Sequence, residues 1–273
     1  MLSSEQIHEF QEIVWEYYRA HARSMPWRDD PSPYHVLVSE LMLQQTQVGR
    51  VLPKYEEFMR RFPTVEALAR APLADVLSVW NGLGYNRRAK FLHAAAQKAV
   101  EEHAGDIPDT LEELIALPGV GKNTAGAVLA YAFNQPAVFI ETNVRTVFFH
   151  HFFADRTDID DKELLTLVEQ TRDDEHPRGW YWALMDYGTH LKTLGSNISQ
   201  SRHYVRQSKF EGSRRQVRGK ILKALVAGPV PREVLATIVD DERLESVTND
   251  LIREGFIEQN SGQLRLTGDV ELP

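Results

Sequence analysis

Apolar side chains recur at three- and four-residue spacing along most of this chain, as at Ile7, Phe10, Ile13, Val14 and Tyr17. That period predicts a protein built almost entirely of helices. Breaks at Pro31-Ser32-Pro33, Phe62-Pro63-Thr64, Gly82-Leu83-Gly84, Ile107-Pro108-Asp109-Thr110 and Leu117 to Gly121 cut the middle into helices of roughly ten to fifteen residues. Thr64 and Thr110 suit the N-cap position, and Glu113 completes a capping box with the second. Strand patterns are confined to the far end. Residues 217–226, 231–239 and 243–254 read as three helices, followed by strands 256–259 and 263–266 that turn at Asn260-Ser261-Gly262. That order is a small winged-helix pattern. Its third helix carries Asp241, Glu242, Glu245, Asp250 and Glu254, which suits packing or protein contact better than entry into a DNA groove.

Two breaks share one design, a Gly-x-Gly turn ahead of a helix, at 80–88 and 116–124. In the second, Pro118, Gly119 and Gly121 permit a tight hairpin. The Ala- and Gly-rich run after Lys122, Asn123 and Thr124 starts a helix whose free N–H groups point at an anion. A phosphate of a nucleic-acid backbone is a natural guest.

Composition then narrows the setting. With 273 residues, 42% hydrophobic and 26% charged, the chain has the makeup of a globular protein. A net charge of -8 argues against a protein that coats nucleic acid without selectivity, although a local basic patch still sets the field where it lies. One such patch spans 199–223, where Arg202, Arg206, Lys209, Arg214, Arg215, Arg218, Lys220 and Lys223 are offset only by Glu211. It reads as a solvated connector or, given the phosphate hairpin, as a DNA contact. The chain has no cysteine, which excludes disulfides, thiolate nucleophiles and cysteine-held zinc or iron-sulfur sites. Residues 1–20 are amphipathic and contain no run for a signal peptide or membrane span. A cytoplasmic protein is expected, nucleoid-associated in a bacterium or archaeon.

Glu40 stands in the middle of an otherwise apolar helical stretch, Val36 to Leu43. An unpaired ionised carboxylate there is costly, so its pKa is expected to rise, and a carboxylic acid kept protonated near neutrality can give its proton to a leaving group. The alternatives are a solvent-edge position or a bond to a backbone cap.

Four segments together resemble a known family. Ser39-Glu40-Leu41-Met42-Leu43-Gln44-Gln45-Thr46-Gln47-Val48, Trp80 to Arg88, Leu117 to Gly126 and Asn143-Val144-Arg145 are similar to the adenine DNA glycosylases of the MutY family, within the helix-hairpin-helix base-excision superfamily that includes endonuclease III. The likeness runs from Ile7 to Tyr204. It implies an all-α, two-lobed core over 1–211, with lobe one at 26–133 and lobe two formed by 1–25 and 134–211. Residues 212–273 then form a winged-helix-like α+β module. By the same resemblance Glu40 protonates the departing purine, and Gln45 and Tyr85 wedge into the duplex where the base is drawn out. Thr46 and Leu83 lie near the opposite base, and Trp27 and Arg28 line the base pocket. Gly119, Gly121, Lys122 and Asn123 belong to the phosphate hairpin, whose carbonyls could also hold a monovalent cation. Extrahelical capture is needed because the glycosidic bond is out of reach inside the stack. Core packing is the other reading for Tyr85 and Trp27.

The chain departs from the family pattern in four places. Glu141 stands where the family has its catalytic aspartate, one methylene longer, so a surface glutamate with the role reassigned to Asn143 is the alternative. Asn123 stands where bifunctional relatives have a lysine nucleophile; Lys122 is one position early, rotated by roughly 100° on a helix, so no Schiff-base lyase activity is expected. Lys192, Ser199, Arg202 and Ser208 fall on the four cluster cysteines, so no iron-sulfur cluster and no other cofactor is expected. The basic connector takes the place of the cluster loop. Finally, the winged-helix-like module does not resemble the larger domain with which adenine glycosylases read 8-oxoguanine. The reading is therefore a monofunctional glycosylase that acts as a monomer on double-stranded DNA holding a mispaired base, most often adenine opposite guanine or 8-oxoguanine, with the C-terminal module touching DNA or a protein partner. Its rivals are a uracil, thymine or modified-base glycosylase of the same fold, and a lesion-binding protein without catalysis.

Overall fold

The computed structural model describes residues 1–154, 156–204 and 209–267. Helices α1 (Ser4–His21), α2 (Pro26–Asp29), α3 (Pro33–Leu43) and α4 (Val48–Arg61) come first. They are followed by α5 (Val65–Arg70), α6 (Leu73–Trp80), α7 (Arg87–His103), α8 (Leu111–Ala116) and α9 (Lys122–Tyr131). Next are α10 (Thr142–Phe152), α11 (Asp161–Thr171), α12 (Pro177–Leu194) and α13 (Arg214–Val226). The chain then forms β1 (Val230–Pro231), α14 (Arg232–Ile238), α15 (Leu244–Arg253), β2 (Ile257–Asn260) and β3 (Gln263–Leu266).

Local chemistry explains the boundaries. Ser3 and Gln6 cap α1 reciprocally, Thr64 Oγ1 accepts the Ala67 amide at 3.1 Å, and Thr110 Oγ1 accepts that of Glu113 at 3.3 Å. Helices α5, α6 and α8 are only 6, 8 and 6 residues long, shorter than the spacing of breaks suggested. The residues ahead of Pro72 and Pro118 are pushed out of helical geometry, and each proline ends a helix early.

Two compact units result. The first gathers Met1–Glu40, Ile107–Ala116 and Val120–Arg206. Here α1 and α10 pack against α12, and Phe10 meets Phe148 at 5.2 Å and Trp180 at 5.9 Å, both edge-on. Glu40 and Glu141, assigned by the sequence to different lobes, both lie in this unit.

The second unit gathers Leu41–Asp106, Leu117–Gly119 and Gln207–Pro273. Its helices α5 and α6 pack on α7, and α13 packs on α6 and α15. The antiparallel sheet runs β1-β3-β2. Strand β1 has no counterpart in the sequence pattern, because its two residues are too few for a period. Asn260, read as part of the turn, pairs with Gln263, and the turn is Ser261-Gly262 with φ of 49° and 81°. Asp241, Glu245, Asp250 and Glu254 of the third winged-helix segment are internal ion-pair partners. Glu254 accepts from Arg87 at 3.0 Å and from Arg218 at 2.8 Å, and these bonds push its carboxyl down to about 2. Asp250 takes Arg214 and Arg253, and Glu245 takes Arg232. Lys90 adds a bond to the Gly255 carbonyl at 2.8 Å, so the C-terminal segment is fastened to α7.

Candidate active site

Helix α3 carries Glu40 among the buried residues Val36, Leu37, Val38, Ser39 and Leu41, which leaves the carboxyl half-buried. Glu141 caps the N-terminus of α10 and is half-buried as well. The two are close enough to interact. Burial, and then the charge of Glu141, hold the Glu40 carboxyl well above the ordinary carboxylate value of 4.5. Burial raises Glu141 too, but Arg145, Lys192 and the Thr142 amide pull it back. Of the two, Glu40 is therefore the carboxyl pushed further toward its neutral form, and Glu141 is the one whose cationic neighbours favour the carboxylate.

The groups around Glu141 are themselves held in place. Arg145 is itself clamped by Asp161, with one bond at 2.8 Å. Lys192 donates to Asn143 Oδ1 at 2.5 Å, and burial lowers its pKa while Glu141 raises it. A Cβ on Gly188 would stand 2.5 Å from the Asn143 carbonyl, so α12 can approach α10 this closely only with glycine there. Asn123 Oδ1 accepts the Ile140 amide at 3.4 Å, which steadies the strand of chain entering Glu141.

Arg28 and Trp27 belong to the same unit. Arg28 grips Asp186 with two bonds of 2.9 Å and lies 5.4 Å over the ring of Trp182. Arg23 adds Nε at 2.7 Å to the same carboxylate, which is 2% exposed. Trp27 is buried. Asp186 escaped the sequence reading, although an aspartate within Ala183-Leu184-Met185-Asp186 carries the same signal as Glu40.

Gln45, Thr46, Leu83, Tyr85 and Gly119 lie in the second unit. Gln45 and Tyr85, the two expected wedges, both hold left-handed backbone, with φ of 55° and 48°. Such strain costs about 1–3 kcal/mol per residue and persists only where neighbours enforce it. Arg88 does the enforcing. Its buried guanidinium donates to the carbonyls of Leu41 and Met42 at 2.8 Å, of Gln44 at 2.5 Å and of Gly84 at 3.1 Å, and to Thr46 Oγ1 at 3.0 Å. Leu83 is buried, and Arg88 holds its carbonyl too. Gly119 has φ of 79°, and a Cβ there would stand 2.5 Å from that of Phe91. In the first unit Gly121 caps α9, whose first residues Lys122 and Asn123 are exposed.

Of the residues at the cluster-cysteine positions, Lys192 serves Asn143, Ser199 is exposed, and Arg202 binds Asp158 at 2.9 Å and Asp160 at 2.8 Å. Ser208 and Arg206 lie outside the described residues. Without cysteine the chain cannot hold an iron-sulfur cluster through thiolates. In the connector, Arg214 and Arg218 bind carboxylates of α15 and its C-cap, and Arg215 donates to Tyr85 Oη at 2.6 Å. Lys209, Lys220 and Lys223 are exposed.

Comparison with known proteins places this arrangement. The model of the HhH-GPD superfamily base excision DNA repair proteins matches residues 38–171. An adenine DNA glycosylase of Mycobacterium tuberculosis (strain CDC 1551 / Oshkosh) is 35% identical over 286 residues, covering 94% of this chain and 92% of the relative. The chain belongs to the HhH-GPD superfamily. The mycobacterial alignment takes in most of the C-terminal segment as well. An adenine DNA glycosylase of Buchnera aphidicola subsp. Baizongia pistaciae is 34% identical over 189 residues, 69% of this chain, which spans 54% of that relative's length. The solved structure of a thermostable thymine-DNA glycosylase superposes with a TM-score of 0.60 over 67% of this chain and 86% of its own, at 24% identity. The expected fold, a helix-hairpin-helix glycosylase core with a small C-terminal α+β segment, is borne out. No helix among the described residues is long and apolar enough to cross a membrane.

Proposed function

We propose that this protein is a monofunctional DNA glycosylase that hydrolyses the N-glycosidic bond of adenine mispaired with guanine or 8-oxoguanine. The observation that carries the reading is the pair of half-buried glutamates with unequal surroundings, Glu40 pushed further toward its neutral form and Glu141 faced by Arg145 and Lys192. Glu40 gives its proton to the base as the C1′–N9 bond breaks, and the bonding pair leaves with the adenine. Positive charge then spreads over C1′ and the ring oxygen, where Glu141 stabilises it. Water adds to C1′ and yields its proton to the pair. The names of the relatives at 34% and 35% identity support adenine as the base. Asn123 supplies no amine, and its amide already holds the Ile140 N–H. Gln45 and Tyr85, on their strained backbone, would enter the space that the base vacates. A monomer acting on double-stranded DNA accords with these roles.

A single-turnover assay on duplexes with adenine opposite 8-oxoguanine, adenine opposite guanine, uracil opposite guanine and thymine opposite guanine tests this directly. Release of adenine from the first two, with strand breaks only after alkali, is the expected outcome. Release of a pyrimidine instead would overturn the substrate, breaks without alkali would overturn the monofunctional reading, and no release from any duplex would overturn the enzyme.

A further inference from the structure

Tyr131, the last residue of α9, is 6% exposed, and its hydroxyl makes no hydrogen bond to any described protein group. A buried hydroxyl left in that state carries an uncompensated desolvation penalty, which phenylalanine in the same place would avoid. The ring alone is well accounted for. It stands edge-on to Phe139 at 6.0 Å and to Tyr181 at 6.5 Å, and nearly parallel to Trp182 at 6.3 Å. Packing thus explains an aromatic residue here but not the oxygen.

The groups acting electrostatically on that oxygen are Glu40, Glu141, Arg28 and Tyr181. Two of the four are already engaged. Tyr181 Oη donates to the Ala137 carbonyl at 2.8 Å, and Arg28 is held by Asp186. The two carboxylates remain. We propose that the Tyr131 hydroxyl is a donor kept for the carboxylate that Glu40 becomes when it gives up its proton, which makes Tyr131 a positioning residue acting through Glu40.

This inference deepens the proposed function and rests on it. In the resting enzyme Glu40 carries its own proton and has little need of a donor. As the base departs, the O–H bond of Glu40 breaks, its proton goes to the adenine, and the electron pair stays on an oxygen that faces a second carboxylate in buried surroundings. A buried donor without another described partner, within the electrostatic reach of that oxygen, lowers the barrier by bonding the carboxylate as it forms, without stabilising the ground state. The hydroxyl stays protonated throughout, because burial and the two carboxylates push its pKa well above 10.0. It lends a hydrogen bond and transfers no proton.

Tyr131→Phe removes one oxygen that no described protein group bonds, so the melting temperature is expected to hold or rise slightly. Affinity for a duplex carrying a non-hydrolysable adenosine analogue is expected to stay at the wild-type value. The single-turnover rate of adenine release should fall about 10²-fold. Thr248→Val deletes another buried hydroxyl without a described partner, in α15, and should leave that rate unchanged. An active wild type matched in rate by Tyr131→Phe overturns the inference alone. So does a rate loss accompanied by equal losses of affinity or melting temperature. A wild type inert on every duplex overturns the proposed function, and this inference with it.

Discussion

Replacing Glu40 by glutamine is expected to slow base release by about 10³-fold while leaving fold and DNA affinity intact, the usual scale for losing a positioned general acid. Glutamine matches the carboxyl in size and bonding geometry but has no proton to give. Glu40 sits in the apolar middle of α3 with Glu141 nearby, and both features favour its neutral form. Near neutral pH the unfolded chain ionises Glu40 while the folded site favours its neutral form, a cost that the neutral amide avoids, so a small gain in melting temperature should accompany the loss of rate. A stopped-time assay with enzyme in excess over duplex separates the two effects. Undiminished release by Glu40→Gln would remove Glu40 from the chemistry.

The second large effect is structural. Arg88→Met keeps the stem of a side chain that is 6% exposed but removes the guanidinium that holds the carbonyls of Leu41, Met42, Gln44, Leu83 and Gly84. Buried carbonyls without donors cost roughly 1–3 kcal/mol each, and partial relaxation brings the sum to about 3–5 kcal/mol. The melting temperature should drop by about 10 °C. Arg88→Lys is expected to recover little, because one ammonium cannot span two loops as a planar fork does. The loops that lose their anchor carry Gln45 and Tyr85 in left-handed backbone, so affinity for mismatched duplex should fall along with stability. A melting temperature within a degree or so of wild type would show that other groups set these loops.

The two residues differ in how far the sequence revealed them. Glu40 was legible because a carboxylate within Val36 to Leu43 contradicts its own surroundings, and that contradiction needs no knowledge of the fold. Asp186 sends the same signal from α12, but its meaning comes from Arg23 and Arg28, more than 150 positions earlier. Arg88 looked like one more cation in Arg87-Arg88, since nothing local shows that it turns inward. Tyr131 reads as ordinary core in an Ala-rich helix until its hydroxyl is found without a partner among the described residues. The helix caps at Thr64 and Thr110 were readable because they depend on residues three positions away. The acidic face of α15 was recognised as unsuited to a DNA groove, whereas its pairing with Arg87, Arg214 and Arg218 depends on how distant segments fold together.

In the proposed mechanism two half-buried glutamates divide one proton, Glu40 acting as acid and Glu141 as carboxylate. The single-turnover rate of adenine release measured against pH tests that claim most directly. Both carboxyls are raised above 4.5, Glu40 further than Glu141, and the pair titrates in two steps. The rate should rise with pH as Glu141 loses its proton and fall at higher pH as Glu40 loses its own, giving a bell with both limbs above the ordinary carboxylate range. A rate that stays level from the acidic to the alkaline end would contradict the division of roles.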